Sequence, residues 1–496
     1  MYISIFFVFL HSVITFITTH INIIIRPMKK IGFSILLALT AACVCGRAQN
    51  YVRYSTETKG INHIIRSCPV YNIPTEVIYS REDDSGYIEL WVEGTATCRI
   101  PVPLSYEVKD MRVYNNLLYF CGRRKPCGFI AVLDLHDMFL HNTGSSTPPS
   151  DAFISYTYLD GGLVSSLEKM VVYDIHDQAQ TIPVEYADQH IAAIGLSGWN
   201  ITTNDWVAVH LKYDSLFLDT VSSISAANYA NYEVLASADC PKSEPIQEVL
   251  KTEHYVAFVR YRQSTNEYII HHCNKYNIYG TYNWTYHFPA PPDEGLSPII
   301  GTALPSNYIA LATLATYQGN PSAYEIRVRT FDMAGMSVLR SQRIPTDDTV
   351  MDLKITYNKD RQKIVLSMNG LLRRSSIWVP AFLEIDPWVN TGGISTYTVH
   401  SILDISHTPF NSIDFANGTY FVSSAENIWM RKKLPLSGQS NTCYSTTYFT
   451  SDTIPDLETI GYSIEPIYFP KKAEPTRQRV TIYDIQTNID CIITDE

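Results

Sequence analysis

"EHYVAFVRYRQSTNEYIIHHCNKY", residues 253–276, sets the pattern that recurs along the chain. A polar lead is followed by an apolar run at 255–261, a polar turn at 263–266 and a second apolar run at 268–273. Aromatic and β-branched residues in short runs bounded by turn residues favour paired strands over helix. The same arrangement returns as "TEVIYSREDDSGYIELWVEG" from 75, "NNLLYFCGRRKPCGFIAVLDL" from 115 and "QHIAAIGLSGWNITTNDWVAVHLKY" from 189. It returns again from 306, 361 and 417, which makes seven hairpins.

With Val77, Leu117, Ile191, Val256, Ile309, Ile364 and Tyr420 as equivalent points, the repeat averages about 55 residues once "HNTGSSTPPSD", 141–151, is set aside as a surface insertion. Most hairpins follow a further strand-like run, such as "EVKDMRVY", "PIQEVLKT", "SPIIGTAL" or "VMDLKITY". The high tyrosine count, 34, suits the same all-β reading.

In this repeat style the chain resembles secreted bacterial β-propeller proteins over roughly residues 55–496. The resemblance implies an all-β fold of seven blades, each of three to four antiparallel strands, in a ring closed by N- and C-terminal strands. One or two strands from "TIGYSIEPIYF" and "QRVTIYDIQTNIDCIITDE" are expected to pair with the first blade. Kelch-type paired glycines and Trp-Asp repeat endings are absent, so no family residue carries over. A six- or eight-bladed ring, or two β domains joined near "FPAPPDEGLSP", are the alternatives. In "YGTYNWTYHF", Tyr282, Trp284, Tyr286 and Phe288 alternate onto one side of a strand, where packing between blades explains them better than ligand stacking.

The N-terminus reads as export machinery. Residues 1–27 are an expected start-site extension, and 28–48 a signal peptide with Met28-Lys29-Lys30 as its basic region and Gly46-Arg47-Ala48 before the cut. Lipidation at Cys43, or anchoring by residues 1–25, would tie the chain to a membrane. The expected destination is therefore exported: periplasmic, cell-surface or secreted. Removal of 1–48 takes away four basic residues and no acid, moving the formal charge from −11 to −15. A surface so acidic repels phosphate backbones, which argues against nucleic acid as a partner.

Eight cysteines follow: Cys68, Cys98, Cys121, Cys127, Cys240, Cys273, Cys443 and Cys491. In an exported chain they are expected to form disulfides between neighbours, with Cys121–Cys127 across a hairpin and Cys443–Cys491 near the end.

Motifs for chemistry are sparse. "GLSGW", 195–199, begins like a nucleophile elbow but lacks the final glycine and the following helix. His136, Asp137, His176 and Asp177 are candidate metal ligands if "LDLHD" and "YDIHD" occupy like positions in adjacent blades, although solvated loop ends, where Asp and His are common, are the expected explanation. His271 and His272 are adjacent and point to opposite faces of a strand, so they cannot chelate together. Asp83-Asp84, Asp293-Glu294 and Asp347-Asp348 read as solvated turns. Trp199, at a hairpin tip, is the candidate ligand-stacking ring. No cofactor is expected. The expected role is a non-enzymatic binding or assembly module for a peptide, glycan or protein partner, with a carbohydrate-active enzyme carrying carboxylates in the central funnel as the alternative.

Overall fold

Runs that are apolar at nearly every position form strands buried on both faces, and this is how the repeated hairpins are used. In the computed structural model, residues 49–56, 61–82, 85–92, 95–142, 147–174, 189–200, 206–212, 231–236, 244–275, 284–291, 293–317, 320–346, 350–359, 362–372, 377–388, 395–402, 410–416, 419–424, 428–433, 444–453, 460–463, 467–472, 475–485 and 487–494 are described. They contain 34 strands and one short helix, so the all-β expectation is correct.

After β1 (Gln49–Thr56), six antiparallel four-strand meanders follow one another. The first is β2 (Ile61–Val70), β3 (Ile73–Glu82), β4 (Ser85–Val92) and β5 (Thr95–Val102). The second is β6 (Glu107–Tyr114), β7 (Leu117–Arg124), β8 (Cys127–Asp134) and β9 (Asp151–Tyr158), with helix α1 (His136–Asn142) between its last two strands. The third is β10 (Val164–Asp174), β11 (Gln189–Ser197), β12 (Trp206–Lys212) and β13 (Asn231–Ala236). The fourth is β14 (Ile246–Lys251), β15 (Tyr255–Arg262), β16 (Glu267–Asn274) and β17 (Trp284–Pro289). The fifth is β18 (Ile300–Ala303), β19 (Tyr308–Tyr317), β20 (Asn320–Asp332) and β21 (Ser337–Thr346). The sixth is β22 (Val350–Asn358), β23 (Lys363–Leu372), β24 (Ile377–Ile385) and β25 (Ser395–Ile402). The seventh meander has three strands in sequence, β26 (Phe410–Ala416), β27 (Thr419–Ser424) and β28 (Ile428–Lys433). Its fourth place is taken by β1, antiparallel to β28 from Tyr51↔Lys432 to Ser55↔Ile428. Each hairpin quoted above supplies the second and third strands of one meander.

One of the C-terminal strands pairs with the first meander as expected, and the others go to other edges. β29 (Tyr444–Thr453) lies between β21 and β25 and joins the fifth and sixth meanders into one nine-stranded sheet. β30 (Ile460–Ser463) pairs with β17, β31 (Ile467–Lys472) with β13, β32 (Pro475–Thr481) with β9, and β33 (Tyr483–Ile485) with β5. β34 (Thr487–Thr494) lies beside β1. The tail thus visits the meanders in reverse order and adds a fifth strand to edges whose hydrogen-bonding groups would otherwise be bare. Val480, Ile482 and Ile485 are buried beneath it, and His141 Nε2 meets Asp484 Oδ1 at 2.8 Å. β17 is therefore the last strand of its meander without being the edge of its sheet.

The core lies between consecutive meanders. Leu118, Phe120, Phe129 and Ala131 face the first meander, whereas Tyr119, Cys121, Ile130 and Val132 face the third. In the opening stretch Val256 and Phe258 pack toward the third meander, and Ala257, Val259 and Tyr261 toward the fifth. Phe288 is fully buried in that second set, with Tyr286 at its margin, so the part of the aromatic row that is described packs. First strands touch in succession, β2 to β6 to β10 to β14 to β18 to β22 to β26, and β26 touches β2.

The disulfide expectation is corrected at the described positions. Cys98, Cys121, Cys127 and Cys273 are free thiols, which removes Cys121–Cys127 and every pairing that uses Cys98 or Cys273. In the β7–β8 ladder Arg124 opposes Cys127 and Cys121 opposes Ile130. Cys121 and Cys127 are thus three ladder positions apart, about 10 Å along the strand, and on opposite faces. Burial pushes the Cys98 and Cys273 thiols up to about 12, which makes them inert packing groups. Residues 1–48, with Cys43 and the proposed leader, lie outside the described residues, as do His176, Asp177, Cys240, Cys443, Asp83-Asp84 and Asp347-Asp348. The side chains of Cys68 and Cys491 do so too.

The stretch "FPAPPDEGLSP" is anchored in the core through Phe288 and Glu294, while Leu296 is exposed. Glu294 is buried, accepting Arg327 Nη1 at 2.8 Å and the Tyr268 hydroxyl at 2.6 Å, and it also pairs with Arg329 Nη2. Asp293 holds Arg327 Nη2 at 2.7 Å and Glu325 holds Arg327 Nε at 2.6 Å. Gly295, at φ +76°, brings the backbone against the Tyr261 ring where a Cβ would clash. Residues Asn50–Ile493 form one compact unit, with the fourth and fifth meanders bolted together at this point. Removing Glu294 leaves two buried guanidiniums short of a counterion. Glu294→Leu is expected to lower the unfolding free energy by about 3–5 kcal/mol in urea denaturation, against about 1 kcal/mol for Asp293→Ala. Equal, small losses would contradict this account of the linker.

Candidate functional site

The first strands of several meanders carry charges that gather in one place. "EVKDMRVY" places Lys109, Asp110 and Arg112 in β6, and "SSLEKMVVY" places Glu168 and Lys169 in β10. Glu248 and Lys251 lie in β14, and Lys354 in β22. All of these, with Arg66 of β2 and Thr302 of β18, line one cavity of about 530 Å³. Six consecutive first strands contribute to it.

A recurrent irregularity aims these side chains inward. The pairing of first with second strand slips at Asn62/Ile64, Val108/Asp110, Leu167/Lys169, Ile246/Glu248 and Met351/Lys354. A bulge inserts a residue into one strand, bends it and re-aims its side chains, and bulges are over-represented beside functional sites. Here they set charged residues at the cavity wall of strands that are otherwise apolar.

Asp110 ties three of the first strands together. Its Oδ1 accepts Arg66 Nη2 at 2.6 Å, Arg112 Nη1 at 2.9 Å and the Met111 amide at 2.8 Å, while Oδ2 accepts the Met170 amide at 3.0 Å. Burial pushes this carboxyl up, but the Arg112 and Arg66 guanidiniums and the Met170 amide outweigh it and hold it below the ordinary carboxylate range. Glu248 pairs with Lys169 at 2.5 Å between the third and fourth meanders. With one ammonium in place of two guanidiniums, burial wins and its carboxyl is raised. Lys251 donates to the Val172 carbonyl and stands 4.8 Å from the centre of the Tyr114 ring. Glu168 accepts the Ser166 hydroxyl at 2.6 Å.

The residues singled out in the sequence lie elsewhere. Trp199 is 81 % exposed at the β11–β12 tip, whose Asn200 amide donates to Gly162 O at 2.7 Å. Trp206 is half-buried and packs against the third-meander core. His136 and Asp137 begin α1. Asp134 caps that helix by accepting the His136 amide at 2.9 Å, and the His136 ring meets the Tyr71 hydroxyl at 2.8 Å. Burial, then the Asp134 charge, raises the Asp137 carboxyl. Among the described residues no three metal-ligating side chains gather. No helix among them is long and apolar enough to cross a membrane. No protein-family model matches the chain, and no curated protein sequence matches it.

His271 and His272 are packing groups. His271 Nδ1 meets Thr285 Oγ1 at 2.9 Å, and the His272 ring lies 4.0 Å from that of Tyr255, with neither nitrogen hydrogen-bonded among the described residues. Burial lowers their pKa values to about 3 and about 4. The unfolded chain therefore takes up these protons first. Their contribution to stability is full above about pH 6.5 and is lost as pH falls toward 4 for His272 and 3 for His271. His272→Phe is expected to flatten the loss of stability between pH 6.5 and 4 in chemical denaturation, while an unchanged slope would contradict neutral burial of this ring.

Proposed function

We propose that the chain is an exported, seven-bladed β-propeller that acts as a non-enzymatic binding module, taking a peptide, glycan or protein segment into its central cavity. The observation that carries this reading is that six consecutive first strands send side chains into one space, while β26 touches both β22 and β2. A ring is the arrangement in which every meander has a neighbour on each face and no terminal face stays bare. The β1–β28 pairing supports closure, because it completes the seventh meander with the N-terminal strand. Export is supported by the Met28-Lys29-Lys30 leader and Gly46-Arg47-Ala48.

One observation favours the enzymatic alternative. Asp110 and Glu248 share the cavity and are pushed in opposite directions, the pattern of a carboxylate pair divided between acid and base. Asp110, however, is occupied by two guanidiniums and two amides, and Glu248 by Lys169, which suits wall structure better than turnover.

Peptide and glycan arrays, followed by calorimetry and product analysis on the hits, test the reading. The expected result is saturable binding without product, abolished by the cavity-filling Thr302→Trp and retained in Trp199→Ala. Product release would establish the enzymatic alternative. Binding lost only in Trp199→Ala would move the site to the hairpin tip.

A further inference from the structure

We infer that the ligand group taken into this cavity is a polyanion, one bearing two or more carboxylate, sulfate or phosphate groups. This rests on the cavity being the binding site. The described lining carries six basic residues, Arg66, Lys109, Arg112, Lys169, Lys251 and Lys354, against three acids, Asp110, Glu168 and Glu248. The chain as a whole has the opposite sign, −11. A basic well inside an acidic protein is a specific arrangement, since composition alone would favour acids at any patch.

The pairs in the wall use bases as well as acids, Asp110 taking Arg66 and Arg112, Glu248 taking Lys169 and Glu107 taking Lys109, so the surplus positive charge falls on the Arg66–Asp110–Arg112 cluster, Lys251 and Lys354. Lys251 and Lys354 stand on strands that flank β18, whose Thr302 supplies a hydroxyl between them. The Lys251 ammonium stands over the Tyr114 ring and donates to the Val172 carbonyl, which fixes it at the wall. A cleft with an excess of one sign of charge and walled by low-dielectric sheet focuses the field, so an anion gains more here than on open surface. The acidic exterior repels anions in general, which leaves the cavity mouth as the favourable approach.

Calorimetry with tripolyphosphate, trigalacturonate, a sulfated disaccharide and uncharged maltotriose separates the phosphate, carboxylate and sulfate sources from a neutral glycan. The expected result is stoichiometric binding of at least one polyanion. It should weaken at least about tenfold at about 0.3 M salt, and at least about tenfold in folded Lys251→Met/Lys354→Met. In the unsubstituted protein the same probe is expected to slow acetylation of Lys251 and Lys354, read by peptide mass spectrometry, which keeps the test independent of the variant's folding. No polyanion binding, or binding that leaves both lysines equally reactive, overturns the inference. A neutral ligand that Thr302→Trp blocks and the lysine pair does not affect also overturns it, while leaving the cavity as the binding site.

Discussion

A four-stranded sheet that is apolar on both faces cannot stand alone in water, and this constraint governs the molecule. In β7 and β8 alternate residues supply two separate cores, one toward each neighbouring meander, and the opening hairpin in β15 and β16 does the same. At about 25 cal/mol per Å² of buried apolar area, leaving one such face bare is costly for any meander in the series. Each therefore needs a neighbour before and after it. The first strand of the seventh meander, β26, contacts β2 of the first.

Edges pose the second constraint, met by chain from both ends. β1 fills the fourth place of the seventh meander, and the C-terminal strands return past the others in reverse order. Two strands of this return are short, β30 having four residues and β33 three, so their ladders hold the chain weakly there. Buried Val480, Ile482 and Ile485 and the His141–Asp484 contact add to its hold. The inner end of the meanders is the reverse case. There bulged first strands bring charges to a shared space.

Much of the strand order was legible because it is local. Seven hairpins and the runs that precede them, "EVKDMRVY", "PIQEVLKT", "SPIIGTAL" and "VMDLKITY", follow from residue type and turn chemistry within 25 or so positions. The partners of β29 to β34 were not legible, since a short strand carries no mark of which distant edge it meets. Glu294 resembles a solvated turn residue in sequence, and the arginines that bury it lie 33 and 35 positions away. The cavity left a signal that attention to motifs passes over: charges recurring inside the strand-like run that opens a repeat, at Lys109, Asp110, Arg112, Glu168, Lys169, Glu248, Lys251 and Lys354. Trp199, prominent as an exposed ring, stands apart from it. Cys121 and Cys127 look paired by spacing, yet strand parity sends them to opposite faces.

Register between the two ends of the repeat series is the most direct test. Ser55 and Ile428 oppose each other across β1 and β28, although 373 residues separate them. Cysteines introduced together at these positions and exposed to mild oxidation should give an intramolecular cross-link, seen as a linked 55–428 peptide from the monomer after digestion. Unlinked thiols in the folded monomer, or links only between two chains, would contradict the account that the first strand completes the last meander.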